Sequence, residues 1–164
     1  MKILSSIRQL QEPVAKVAQA IPSKSVDGRY DNIHFTLEPN ALTLFGTDGE
    51  LSITAKIEVE STDSGHIGIN ARTLQDFLRS MYDTPVTLSI ERQEISDHGM
   101  VEVTTDKGRY KIVCLFESKP ERYDKVYDIT LDLPTSELLG LVQKTLFACS
   151  IDGLVSLTDI EETS

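Results

Sequence analysis

Tryptophan is absent from this chain, and cysteine is nearly so. Two cysteines, Cys114 and Cys149, cannot build the disulfide framework of a small secreted domain. Nine glycines and six prolines in 164 residues exclude a collagen-like or low-complexity chain. No apolar run approaches the roughly 20 residues that a membrane-spanning helix needs, and the opening MKILSSIRQLQEP has no signal-peptide core. Basic residues are also scarce. Sixteen Lys and Arg face 26 Asp and Glu, a formal net charge of −10. Taken as a whole, that charge argues against a nucleic-acid partner, whose affinity comes mainly from neutralised phosphates. What remains is a chain long enough to bury a real core, expected to be reduced, cytoplasmic and acidic, with no membrane association.

An internal repeat organises the sequence. A strand followed by a helix recurs about every 64 residues, with helices starting near Ser6, Ala71 and Pro134. The first helix carries Ile7, Leu10, Val14, Val17 and Ile21 on one stripe, stepping by three and four. Pro13 lies inside that stripe and should either kink the helix or mark its start after a frayed turn. Leu74, Phe77, Leu78 and Met81 form the second stripe, and Leu138, Leu139, Val142 and Leu146 the third. Thr135 or Ser136 is expected near the third helix's cap.

Between the helices the apolar period falls to two. NIHFTLE, ALTLFGT and LSITAKIEVE follow the first helix; VTLSIE, MVEVTT and RYKIVCLF follow the second. Asp48-Gly49 and Asp106-Lys107-Gly108 punctuate these runs as hairpin turns. The fold class expected is therefore α+β. A duplicated β-α-β-β-β unit gives two antiparallel four-stranded sheets packed on two helices, followed by an extra strand and helix. Residues 1–118 form the complete domain, 119–126 a polar linker, and 127–164 the incomplete start of a second domain. The third helix then lacks a sheet to cover its apolar stripe. Self-association through Leu138–Phe147, folding back or disorder is expected.

Little suggests catalysis. His34, His66 and His98 are scattered, with His98 assigned to a turn, and none sits at metal-ligand spacing from a cysteine or another histidine. Cys114 alternates with Ile112 and Phe116, which reads as core packing, and Cys149 ends the third helix beside Phe147. Asp48 in GTDGE reads as a turn cap rather than half of a carboxylate pair. No enzyme activity, cofactor or metal is expected.

The charge is uneven. Residues 1–30 carry a net +3, residues 31–118 a net −8, and residues 119–164 a net −5. Arg8, Glu12 and Lys16 on the first helix match Arg72, Asp76 and Arg79 on the second. The simpler reading is an intrahelical salt-bridge ladder worth roughly 0.2–0.5 kcal/mol per pair. The functional reading is a basic helical layer on acidic sheets.

Together these strings resemble the bacterial sliding clamp family, the β subunit of DNA polymerase III. The resemblance covers roughly residues 1–153. MKILSSIRQLQEPVAKV, LTLFGTDGELSITAKIEVE, INARTLQDFLRSM, TTDKGRYKIVCL and ITLDLPTSELLGLVQKTLFACSID carry it. It implies a DNA-clamp fold, in which helices line a ring around duplex DNA and sheets form the outer wall. It also implies a non-catalytic processivity factor that tethers the polymerase. Lys24 and Arg72 fall at basic positions that face DNA, and Arg79 at a further one. Clamp and polymerase subunits are the family's protein partners.

There are departures from the family pattern. Val26-Asp27-Gly28-Arg29-Tyr30 stands where the family has an apolar turn, and Leu154 where it has an arginine. The rest of the second domain and all of the third have no counterpart here. The expectation is a truncated clamp subunit, with very weak DNA affinity, no clamp-type peptide pocket and no two-subunit ring. The alternative is a short clamp-like paralogue that acts as a regulatory or interaction protein without binding DNA itself. A small hydrolase using Cys114 or Asp48 is the third reading.

Overall fold

The computed structural model describes residues 1–22, 28–92, 96–116 and 132–148, the side chain of Arg29 excepted. The chain divides into two compact units, Met1–Tyr123 and Asp124–Ser164.

In the first unit, β1 (Lys2–Ser6) runs directly into α1 (Ile7–Val17). Ser6 is the hinge between them. Its hydroxyl accepts from the Gln9 amide at 3.2 Å, and the Gln9 side chain accepts from the Ser6 amide at 3.1 Å, a reciprocal cap. Ile7, Leu10, Val14 and Val17 are buried along one face, as their spacing predicts. The helix passes through Pro13, which is itself buried, so Pro13 does not mark the start. It costs the Gln9 carbonyl its intrahelical donor.

Three strands follow: β2 (Asn32–Glu38), β3 (Ala41–Thr47) and β4 (Ser52–Glu58). The second copy repeats the order with β5 (Gly65–Asn70), α2 (Ala71–Ser80), β6 (Pro85–Arg92), β7 (His98–Thr104) and β8 (Arg109–Leu115). The Asn70 side chain caps α2 by accepting from the Thr73 amide at 3.1 Å. At the β3–β4 hairpin Gly49 takes φ +97°, a conformation that favours glycine, which explains the Asp-Gly turn signal. His98 opens β7 rather than lying in the turn before it.

The two expected four-stranded sheets are present as halves of one antiparallel sheet, ordered β1-β6-β7-β8-β5-β2-β3-β4. Among the described residues, the halves pair at Gly68–Leu115 and Ile69–Cys114, between β5 and β8. A bridge between Leu4 and Glu60 joins the two outer ends, with backbone bonds of 3.0 and 3.1 Å. Each half takes its first strand from the other copy of the repeat. β1 pairs with β6, and β5 pairs with β2.

One core fills the space between this sheet and both helices. Ile33, Phe35, Leu37, Leu42, Leu44, Ile67 and Ile69 meet Ile7, Leu10, Val14, Leu74 and Leu78 there. Gly46 lets β3 approach the end of α1 closely. A Cβ at that position would lie 2.8 Å from Val17 Cγ1 and 2.9 Å from the Val17 carbonyl oxygen.

In the second unit, α3 (Thr135–Thr145) continues into a 3₁₀ turn at Leu146–Ala148. Pro134 is its N-cap residue and Thr135 its first helical residue, with no side-chain cap bond. Leu138, Leu139, Leu141, Val142, Leu146 and Phe147 are all exposed. The extra strand expected before α3, and Cys149, lie outside the described residues.

Candidate nucleic-acid interface

α1 and α2 pack side by side on the sheet. The Gln11 side-chain amide donates to the Leu78 carbonyl at 2.7 Å, tying the two helices together. Between them lies a groove of about 300 Å³ lined by Gln11, Val14, Ala15, Gln75, Leu78 and Arg79. With the apolar stripes turned inward, the opposite faces must carry the charge. Arg8, Glu12 and Lys16 on α1, and Arg72, Asp76 and Arg79 on α2, are all exposed.

The ladder reading is reduced to a single rung. Lys16 donates to Glu12 at 2.7 Å. That ammonium, by hydrogen bond and by charge, holds the Glu12 carboxyl below its usual range. Among the described residues, no carboxylate lies within salt-bridge distance of Arg8, Arg72 or Arg79. Three guanidinium groups therefore stand open on one helical layer, with Asp76 as the only carboxylate not already paired. Arg72 in the first turn of α2 and Arg79 in its last are brought onto the same helix surface. Lys24 lies outside the described residues.

The expectation of acidic sheets needs correction. Within the strands, Lys2, Lys56, Arg92, Arg109 and Lys111 balance Glu38, Glu58, Glu91 and Glu102. The acid sits in the connections, at Asp48, Glu50, Glu60, Asp63, Asp83, Asp97 and Asp106. Turns collect carboxylates because short acidic side chains accept bonds from freed backbone amides. Asp48 accepts from the amides of Glu50 and Leu51 at 2.8 and 2.6 Å, which holds its carboxyl below the usual range. Asp48 is a turn cap, as its sequence context suggests. At the β7–β8 turn, Asp106 accepts from the Tyr82 hydroxyl at 2.5 Å, and Lys107 lies 4.0 Å from the centre of the Tyr82 ring.

Cys114 is 1% exposed within the core. Burial pushes its thiol up to about 11, the wrong direction for a nucleophile. An unfolded thiol titrates near 8.5, so between roughly pH 9 and 11 the native state holds the extra proton. Stability is then fully present below that window and falls as pH rises through it. Alkylation mapped by peptide mass spectrometry should leave Cys114 unmodified in the native protein at pH 8 and label it in denaturant.

Sequence reasoning missed one cluster. His34 on β2 and His66 on β5 are 32 residues apart, yet their ring nitrogens Nδ1 and Nε2 meet at 3.3 Å. Alternation signals strands but not which strands are neighbours, so no sequence spacing could have paired them. Among the described residues, no group of three or more His, Cys, Asp or Glu side chains gathers at metal-binding distance.

Comparison with known proteins agrees with this architecture. The solved sliding clamp of Pseudomonas aeruginosa bound to griselimycin superposes with a TM-score of 0.83 at 22% identity, over 94% of this chain and 41% of that one. The beta sliding clamp of Rickettsia bellii (strain RML369-C) is 20% identical over 153 residues, 93% of this chain and 39% of its own length. A beta sliding clamp sequence from Vibrio harveyi is 24% identical over 151 residues, 90% of this chain and 100% of that sequence. The chain thus spans about two fifths of the length of the Rickettsia relative. The family described as DNA polymerase III beta subunit, N-terminal domain, matches residues 1–116. The duplicated strand–helix unit, its exchanged strands and this match over most of the chain place it in the DNA polymerase III beta subunit family.

Proposed function

We propose that the first unit serves as the duplex-facing N-terminal domain of a sliding clamp, a non-catalytic processivity factor for a replicative polymerase in the bacterial cytoplasm. The observation that carries this is the open set of Arg8, Arg72 and Arg79 on one helical layer, with the acid relegated to turns. Lys24, at a position that the resemblance marks as DNA-facing, is a further candidate contact in this proposal. Flexible cations on a helix face meet phosphates without reading bases, which suits a protein that slides. A net charge of −10 keeps the rest of the molecule from adhering to DNA. Polymerase and clamp subunits are its protein partners in this reading.

Three phosphate contacts make a weak binder. Fluorescence anisotropy with two short duplexes of unrelated sequence tests the proposal. Both should bind equally, more weakly than about 10⁻⁴ M at physiological salt and more tightly as salt falls. A clear preference for one sequence, or affinity that survives high salt, would overturn it.

We further propose that α3 mediates self-association. Its apolar residues are spread over the helix surface, and none is buried. Light scattering should show mass rising with concentration for the full chain and a constant monomer for Leu138→Glu/Val142→Glu. Identical monomers would remove this contact.

A further inference from the structure

We propose that His34 and His66 form the two-imidazole core of a binding site for a divalent transition ion of the zinc, nickel and copper class. The pair lies on the sheet face opposite the apolar core, because Ile33 and Phe35 flank His34 and turn the other way. Register sets the geometry. His66 stands opposite Thr36, and His34 stands opposite Gly68, so the histidines are diagonal neighbours on adjacent strands. Gly68 has no side chain to occupy the space between them.

Three features suit a metal. First, the facing nitrogens are 3.3 Å apart, longer than an ordinary hydrogen bond of about 2.9–3.0 Å. Two nitrogens each about 2.0–2.1 Å from a tetrahedral zinc ion are separated by about 3.3 Å. Second, the ring planes differ by only 11° and the ring centres are 5.4 Å apart. Both lone pairs can therefore turn toward one point with small rotations. Third, the Thr36 hydroxyl lies 3.0 Å from His66 Nδ1. Accepting that N–H fixes the tautomer whose Nε2 lone pair faces His34, the usual support for a ligating imidazole. His34 completes the pair through Nδ1 in its Nε2–H tautomer. It is 1% exposed, with Phe45 beside it at 6.4 Å between ring centres. Water or a small exogenous ligand takes the remaining coordination positions. Magnesium and calcium, which prefer oxygen ligands, are excluded by the same chemistry.

Zinc titration of the full chain, followed by calorimetry and by ¹⁵N spectra of the histidine rings, tests the site. The expected result is one zinc per chain, with His34 Nδ1 and His66 Nε2 shifting and His98 unmoved. His66→Gln, at a half-buried position that keeps the core intact, should abolish the binding. Thr36→Val should raise the Kd about ten- to a hundredfold. His98→Gln should change nothing, and magnesium should produce no shift. Silence of both rings at millimolar zinc would overturn the assignment. So would zinc binding by His66→Gln at the affinity of the unaltered chain.

Discussion

Leu44→Ala should lower the free energy of unfolding of the first unit by about 3 kcal/mol, more than a hundredfold in the folding equilibrium. Leu44 is fully buried at the centre of β3, paired with Phe35 on one side and Ala55 on the other. Its side chain points into the core that both helices cover. Backbone ladders on both flanks hold the strand in place, so the cavity left by three lost carbons cannot close. Incomplete collapse is what raises the cost of such substitutions above the simple transfer free energy. Val113→Ala provides the comparison. Val113 is 57% exposed on β8, and its truncation should stay within about 0.5 kcal/mol. Urea unfolding of the three proteins measures both. A loss below about 1 kcal/mol for Leu44→Ala would mean that the core gives way easily, and with it the rigid seat of the helical layer.

Arg72→Glu/Arg79→Glu should all but remove duplex binding. Three phosphate contacts, from Arg8, Arg72 and Arg79, give a slope of log K against log salt of about −2.7. Two fewer leave about −0.9, and the introduced carboxylates repel the backbone as well. At low salt the expected loss is well beyond tenfold. The fold should survive, because both positions are exposed and, among the described residues, neither guanidinium has a carboxylate within salt-bridge distance. Lys56→Glu/Lys111→Glu, which changes the same number of charges on strands, should weaken binding far less. Equal losses in the two double variants would show that net charge rather than the helical layer governs attraction.

Much of this arrangement is legible in the residues themselves. Ser6 with Gln9, and Asn70 with Thr73, announce the two helix starts. Asp48-Gly49 announces a hairpin. The stripes through Leu10, Val14, Leu74 and Leu78 turn Arg8, Arg72 and Arg79 outward, so the candidate interface follows from spacing alone. Pairing between distant segments does not. Alternation in NIHFTLE and GHIGIN says that each is a strand, yet it cannot say that β2 lies beside β5 or that β1 leaves its own copy for β6. The same gap hid the approach of His34 to His66. Charge counting by segment also misled, because it assigned to strands the carboxylates that belong to turns. The match of Arg8, Glu12, Lys16 to Arg72, Asp76, Arg79 suggested two ladders, but side-chain geometry closes only Lys16 to Glu12.

The central claim is that duplex DNA meets the α1–α2 layer and not the outer strands. Titration of the ¹⁵N-labelled full chain with a short duplex at low salt, read from backbone amide and arginine side-chain shifts, tests it most directly. The account predicts perturbations concentrated at Arg8, Arg72 and Arg79 that fade together as salt is added. Perturbations centred instead on Lys56, Arg109 and Lys111, with the helices silent, would contradict it.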